Sequence, residues 1–454
     1  MKRWIWLAGA AVVVIALGAT LVALPKGQEW TTDSPEALAA FEAGMDAQMR
    51  IYYDDAQRHF RRAIELDPDF VIAKFYAIDG FRSEGEDKVK AMWDSVVSAD
   101  LEQLTAREKL IIERARAMRE KRPKDAERLL EEALADHPND PFILNLKALQ
   151  TWQRGEFEDA ERLYQRLVEI HPNWVIAYNQ LGYINMGLGR FAEAEEYFKS
   201  YRFIAPDQAN PFDSLGELYI TLGRYAEAEE TLNRALEIKS DFWAAYEHLA
   251  LMTSFSGDLE ATRRVIDRAK AAGMHESQVD NLMCLEQYTA WRNAEAWTEI
   301  LEASEGECAY GKNINFAKVT THLAACSVGD WETATSIEEE ASEVLAKVEE
   351  RGPSRELRVV RGALQHLIGV RLAFEGEYAE AADNLRAANE NLTYIEAGTA
   401  LYKLYNNMAL AELLLADGQD AEAHGLLSKM RSVNPLVVAE FEDSGLTVIG
   451  LERG

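Results

Sequence analysis

The strongest constraint in this 454-residue chain is a phrase that returns every 34 residues. It reads Gly155-Glu156-Phe157-Glu158-Asp159-Ala160, then Gly189-Arg190-Phe191-Ala192-Glu193-Ala194, then Gly223-Arg224-Tyr225-Ala226-Glu227-Ala228. A weaker copy follows at Gly257-Asp258-Leu259-Glu260-Ala261-Thr262. Other columns keep the beat. Small residues stand at Ala148, Gly182, Gly216 and Ala250, and bulky ones at Tyr164, Phe198, Leu232 and Ile266. Prolines close the units at Pro138, Pro172 and Pro206, with Ser240 in the next slot. A period of this length denotes one supersecondary unit that cannot bury its own apolar face, so that copies must stack into a continuous core. The segments between turns are rich in Ala, Leu, Glu and Arg, which favours helix over strand.

These columns resemble the tetratricopeptide repeat family. The resemblance implies an all-α, right-handed superhelical solenoid of antiparallel helix pairs. It places small residues such as Gly182 and Ala194 where helices cross closely, Phe198 in the space between them, and Pro206 where one repeat ends. The registers are 37–70, 71–106, 107–140, 141–174, 175–208, 209–242 and 243–276. The slot 71–106 carries two extra residues and lacks the Ala and Pro columns. Thr105-Ala106-Arg107-Glu108 after it reads as a capping box. Arg114 stands where a small residue is expected, which predicts looser packing in 107–140.

Beyond residue 277 the turn phrase recurs at Gly329, Gly376 and Gly418 with wider spacing. The segment 277–454 therefore reads as irregular repeats with longer helices or as a separate subdomain. A terminal repeat lies at 404–437, and Gly352-Pro353-Ser354 marks a break.

In the resembled family the first helix of each pair lines a concave groove that holds a protein or peptide. Carried onto this chain, that groove presents Asn145, Trp152, Asn179, Tyr183, Met186, Asp213, Glu217, Ile220 and Glu247. Asn side chains offer a donor and an acceptor to an extended peptide, and Trp152, Tyr183 and Met186 offer apolar anchors. The alternative is that Trp152 and Met186 pack against the neighbouring repeat. The basic set of the carboxylate-clamp subfamily is missing, since Asp213, Glu217 and Glu247 would repel an acidic tail.

Residues Trp4 to Leu24 form an uncharged apolar run of 21 residues between Lys2-Arg3 and Pro25-Lys26-Gly27. A membrane span needs about 20 residues. The run is therefore read as a transmembrane anchor over 4–24, followed by a linker at 25–36; a cleaved signal peptide is the alternative. Lys2 and Arg3 keep residues 1–3 in the cytoplasm, which exports the body, to the periplasm in a Gram-negative cell. The net charge of −29 disfavours nucleic acid and anionic lipid, and favours neutral or basic protein partners.

Catalytic signatures are absent. The eight His are scattered, with no His-Glu-x-x-His, no phosphate loop and no G-x-S-x-G elbow. No metal, cofactor or small-molecule substrate is expected, although an enzyme site hidden in 277–454 is kept as the rival. Cys284, Cys308 and Cys326 form no CxxC pair. In an oxidising compartment Cys308 and Cys326 are the candidate disulfide, with separate buried thiols the equal alternative. The expected function is a non-enzymatic scaffold that assembles or stabilises a membrane or periplasmic complex.

Overall fold

The computed structural model describes residues 29–303, 308, 316–443 and 449. The anchor and leader segment lies outside the described residues, so its reading rests on sequence alone. Every described element is helical, and no helix among them is long and apolar enough to cross a membrane. The chain divides into two compact units, residues 1–143 and 144–454. The boundary drawn at 276/277 from repeat spacing therefore lies inside the second unit.

In the first unit α1 (Pro35–Met49) pairs with α2 (Tyr53–Leu66). Next come α3 (Val71–Ala77), a 3-10 stretch Ile78–Glu84, and α4 (Glu86–Val97). The pair α5 (Ala106–Arg119) and α6 (Pro123–Asp136) completes it. The slot 71–106 is thus a modified repeat whose first helix breaks early, ahead of Gly85 at φ 105°. Its end is the capping box expected from sequence: Glu108 N donates to Thr105 Oγ1 (3.3 Å) and Thr105 N to Glu108 Oε2 (2.9 Å). Glu108 is fully buried and also accepts from Thr31 N at 2.8 Å, which ties the leading strand of chain to α5. Arg114 replaces the small residue by donating from Nε to Ala126 O across the helix pair, at 3.3 Å. An aromatic core of Trp30, Phe41, Phe60 and Phe70 fills this unit.

The division between units falls within α7 (Pro141–Gln153), which is followed by α8 (Phe157–Ile170). Three more regular pairs follow: α9 (Val175–Gly187) with α10 (Phe191–Ile204), α11 (Asn210–Thr221) with α12 (Tyr225–Ile238), and α13 (Trp243–Phe255) with α14 (Leu259–Ala271). Each first helix ends at a glycine in the left-handed region: Gly155, Gly189, Gly223 and Gly257 have φ of 79°, 73°, 70° and 76°. The small column is a steric requirement. A Cβ on Gly182 would collide with the Phe198 ring, and one on Gly216 would lie 2.7 Å from Leu232 Cγ. Helices α8 and α10 stop two residues before Pro172 and Pro206, because the residue preceding proline is driven out of helical backbone.

The remaining helices are α15 (Glu276–Asn293), α16 (Trp297–Glu302), α17 (Phe316–Val328), α18 (Trp331–Glu349), α19 (Arg355–Glu375), α20 (Tyr378–Asn391), α21 (Ala397–Ala416), α22 (Asp420–Val433) and α23 (Pro435–Asp443). The same turn device operates here, with Gly329, Gly376 and Gly418 at φ 75°, 86° and 70°. Ser354 caps α19 by accepting from Leu357 N at 3.0 Å, after the break at Gly352.

The cysteines correct one expectation. Cys308 pairs with Cys284, and Cys326 is a buried free thiol on α17, so the Cys308–Cys326 disulfide does not form. The reason is placement. Cys326 sits inside the helix stack, 3.7 Å from His322 Nδ1, while Cys284 on α15 comes within 5.4 Å (Cα to Cα) of Cys308.

Candidate functional site

The inner ends of the regular repeats meet the chain's own C-terminal helices. Arg355, the first residue of α19, stacks its guanidinium 3.5 Å from the centre of the Trp152 ring. Tyr394 packs edge-on against Phe191 at the start of α10, with ring centres 5.3 Å apart. Ile395 presses on Gly187, where an added Cβ would lie 2.7 Å from Ile395 Cδ1. Asn434 Nδ2 donates to Thr221 O at 3.2 Å, beside Gly223. Each of these contacts falls at or beside a Gly turn, so the 34-residue beat sets out a row of receptor points.

At the centre of that row is a buried charged cluster. Asp213 and Glu217 stand one turn apart on α11, hence on one face. His248 of α13 lies between them, with Nδ1 2.9 Å from Asp213 Oδ1 and Nε2 3.1 Å from Glu217 Oε1. The Tyr183 hydroxyl donates to Glu217 Oε2, and Ser214 Oγ lies 3.2 Å from that hydroxyl. Glu217 Oε1 also accepts from Ala397 N at 2.8 Å. Ala397 is the first residue of α21, and Glu396 before it supplies no side-chain cap. A carboxylate from α11 therefore caps a helix 180 residues further on.

The electrostatics follow from burial and neighbours. Burial disfavours the His248 imidazolium, but the carboxylates of Asp213 and Glu217 on its two nitrogens outweigh that and hold its pKa well above the usual value. Burial also raises Glu217, yet His248, Tyr183 and Ala397 N outweigh it and leave the carboxyl below its usual value. For Asp213 burial prevails and the pKa is raised. The ligand-type atoms of Asp213, Glu217 and His248 lie within 4.8 Å of one another, a spacing that could hold a metal ion. As arranged, the ring bridges the two carboxylates, and an ion would have to displace it from one of them.

The residues expected to line a partner groove are thus distributed unevenly. Asn179, Met186, Asp213, Glu217 and Ile220 are buried, Asn145, Trp152 and Tyr183 are half-buried, and Glu247 is exposed. Trp152 is covered by Arg355, and Tyr183 packs on Phe198 with ring centres 5.2 Å apart. His248, Arg355 and Ala397 were not legible as partners of this row. The Asp213/Glu217 spacing and a His one repeat later were in the sequence, but nothing local announced that residues 393–397 would return to them.

Two family models described as tetratricopeptide repeat match residues 117–182 and 175–241. No curated protein matches the chain. Among solved structures, PilW, a type IV pilus biogenesis factor, is similar at 20% identity and a TM-score of 0.37, covering 44% of this chain and 91% of that one. Pseudomonas aeruginosa pilF is 14% identical with a TM-score of 0.30, covering 55% and 96%. The Cut9–Hcn1 hetero-tetramer of APC/C is 14% identical with a TM-score of 0.47, covering 90% and 76%. At these identities and scores the likenesses bear on neither activity nor partner. The matched helix pairs, their left-handed glycine turns and the small-against-bulky columns agree, and the chain carries tetratricopeptide repeats over residues 117–241.

Proposed function

We propose that this chain is a non-catalytic scaffold that holds a protein complex at a membrane, tethered by Trp4 to Leu24 with its body exported. The observation that carries the scaffold reading is the run of tetratricopeptide helix pairs through residues 117–241. Stacked pairs present more side-chain surface than a compact domain of equal length, and that surface suits protein partners. The tether rests on the 21-residue apolar run and the Lys2-Arg3 flank. The acidic body, at −29 overall, favours a neutral or basic partner.

The partner surface begins at the accessible part of the concave face, with Asn145, Tyr183 and Glu247. Of the buried members Asn179, Met186, Asp213, Glu217 and Ile220, Glu217 accepts from Ala397 N and joins that surface when the 393–397 segment lifts away. Crosslinking in native membranes, followed by purification in mild detergent, tests the scaffold reading. A reproducible partner crosslinked through positions 145 or 247 is expected; recovery of the chain alone overturns the reading. Intact-mass measurement tests the tether, because a mature chain beginning near Ala19 would make this a soluble exported adaptor.

A further inference from the structure

The connector between α20 and α21 is buried, where a connector ordinarily runs over the surface with its polar backbone in water. Residues 392–396 are non-helical, yet Leu392, Thr393 and Ile395 are buried. The connector at 351–354, between α18 and α19, is exposed or half-buried throughout. Consecutive residues of the buried one meet the regular stack in order. Tyr394 stands edge-on to Phe191, Ile395 presses on Gly187, and Ala397 N donates to Glu217 Oε1 at 2.8 Å. Gly187 ends α9, Phe191 opens α10 and Glu217 lies on α11, so the segment crosses three successive helices. Between Ile395 and Ala397, Glu396 Oε1 accepts from Arg355 Nη2 at 3.1 Å.

The closed arrangement carries defects that a settled core avoids. Glu396 holds a φ of 63° and ψ of 136°, a backbone conformation unfavourable for a residue with a side chain. A cavity of about 30 Å³ remains under the segment, between Phe157 and Val359 on one side and Thr393 and Ile395 on the other. Arg355 Nη1 is buried with no acceptor among the described residues. Opening, by contrast, strands little. Glu217 keeps His248 Nε2 and the Tyr183 hydroxyl, and Ala397 N can turn to water. The Arg355–Glu396 pair is lost, but the Glu396 side chain is 59% exposed and the pair contributes little.

From strain, void and an undemanding release together, we infer that residues 392–397 are an intramolecular plug over the inner ends of α9, α10 and α11. Closed, the plug denies that surface to a partner; open, it frees the surface while the helix stack stays folded. This deepens the scaffold reading, as regulation of the same face, and rests on it for the partner.

The test labels the intact chain with a maleimide. Cys284 and Cys308 are bonded to each other and Cys326 is a buried free thiol, so Thr393→Cys adds one reporter beside one internal reference. Position 393 should label at least about a hundredfold faster than Cys326, because the plug opens without the stack. Equal rates would make the segment ordinary core and overturn the inference. Adding Tyr394→Ala, which removes the ring pair with Phe191, should speed labelling at 393 at least about tenfold and leave Cys326 unchanged. The probe of the freed surface is a fluorescent peptide of residues 391–398, acetylated and amidated. Its apparent affinity should rise between the two chains by the same factor as the labelling rate, since both report the open fraction. Peptide binding that is equal in the two chains, or absent from both, overturns the inference. Should Tyr394→Ala lose the helical fold, Ile395→Ala loosens the contact with Gly187 and carries the same expectations. These responses with no crosslinked partner at positions 145 or 247 would remove the scaffold reading and leave the plug; a crosslinked partner with equal peptide binding would do the reverse.

Discussion

The regular pairs α9–α12 and the later helices α19–α22 use one packing rule at two different lengths. In the first region Gly182 faces Phe198 and Gly216 faces Leu232, with first helices of 13 and 12 residues. In the second, Gly369 faces Leu385, where a Cβ would sit 2.8 Å from Cγ, but α19 and α21 run 21 and 20 residues. A glycine against a bulky side chain brings two backbones together in both, and left-handed glycine turns close both. The 34-residue beat is therefore not what makes a pair. It makes pairs of equal length, whose ends line up and can be met by a second surface. The longer helices supply that surface.

The two regions also dispose of a buried histidine differently. His248 is bridged by two carboxylates and held charged, whereas His366 hydrogen-bonds Asn406 Oδ1 at 2.9 Å and burial lowers its pKa to about 4. One histidine fastens the joint between α11, α13 and α21, and the other is a neutral member of the α19–α21 packing.

The largest expected effect comes from breaking the first joint. His248→Ala leaves Asp213 and Glu217 buried without their cation, a loss of about 3–5 kcal/mol measured by urea unfolding of the chain. If it costs no more than an ordinary surface change, the cluster is not holding α21 in place. Cys284→Ser opens the bridge to Cys308, a sequence separation of 24, and should cost about 3 kcal/mol by the loop-closure account. Reducing agent should reproduce that loss in the native chain and leave the variant unchanged.

Overpacking comes next. Gly182→Val and Gly369→Val should each cost about 1–3 kcal/mol, and by similar amounts if one rule governs both regions. Gly189→Ala should cost about 1 kcal/mol, since only its φ of 73° opposes a side chain and open space surrounds it. A large gap between the first two would show that the two regions pack by different means.

The smallest effect is a slope. A raised His pKa in the folded state stabilises fully below the ordinary value of 6.5, and that contribution is lost as pH climbs through the raised value. Melting temperature should therefore fall as pH rises above neutrality, and His248→Gln should flatten the fall. His366→Gln should leave that alkaline slope alone, because its histidine is already neutral there.

Much of this was readable in the residues themselves. The period, the Gly turns at 155, 189, 223 and 257, the Thr105–Glu108 box and the Ser354 break all concern neighbours a few positions apart, or one repeat apart, where helix geometry dictates who meets whom. The inner-face positions were readable too, as a ladder, but not their company. That Glu217 would cap Ala397, that Arg355 would lie on Trp152, and that Cys308 would choose Cys284 over Cys326 depended on how longer, unevenly spaced helices turn back on the stack. A repeated sequence specifies its nearest-neighbour interfaces, because each recurs and is set by local geometry. A return contact across 180 residues is made once, and its place is the accumulated sum of every packing angle between.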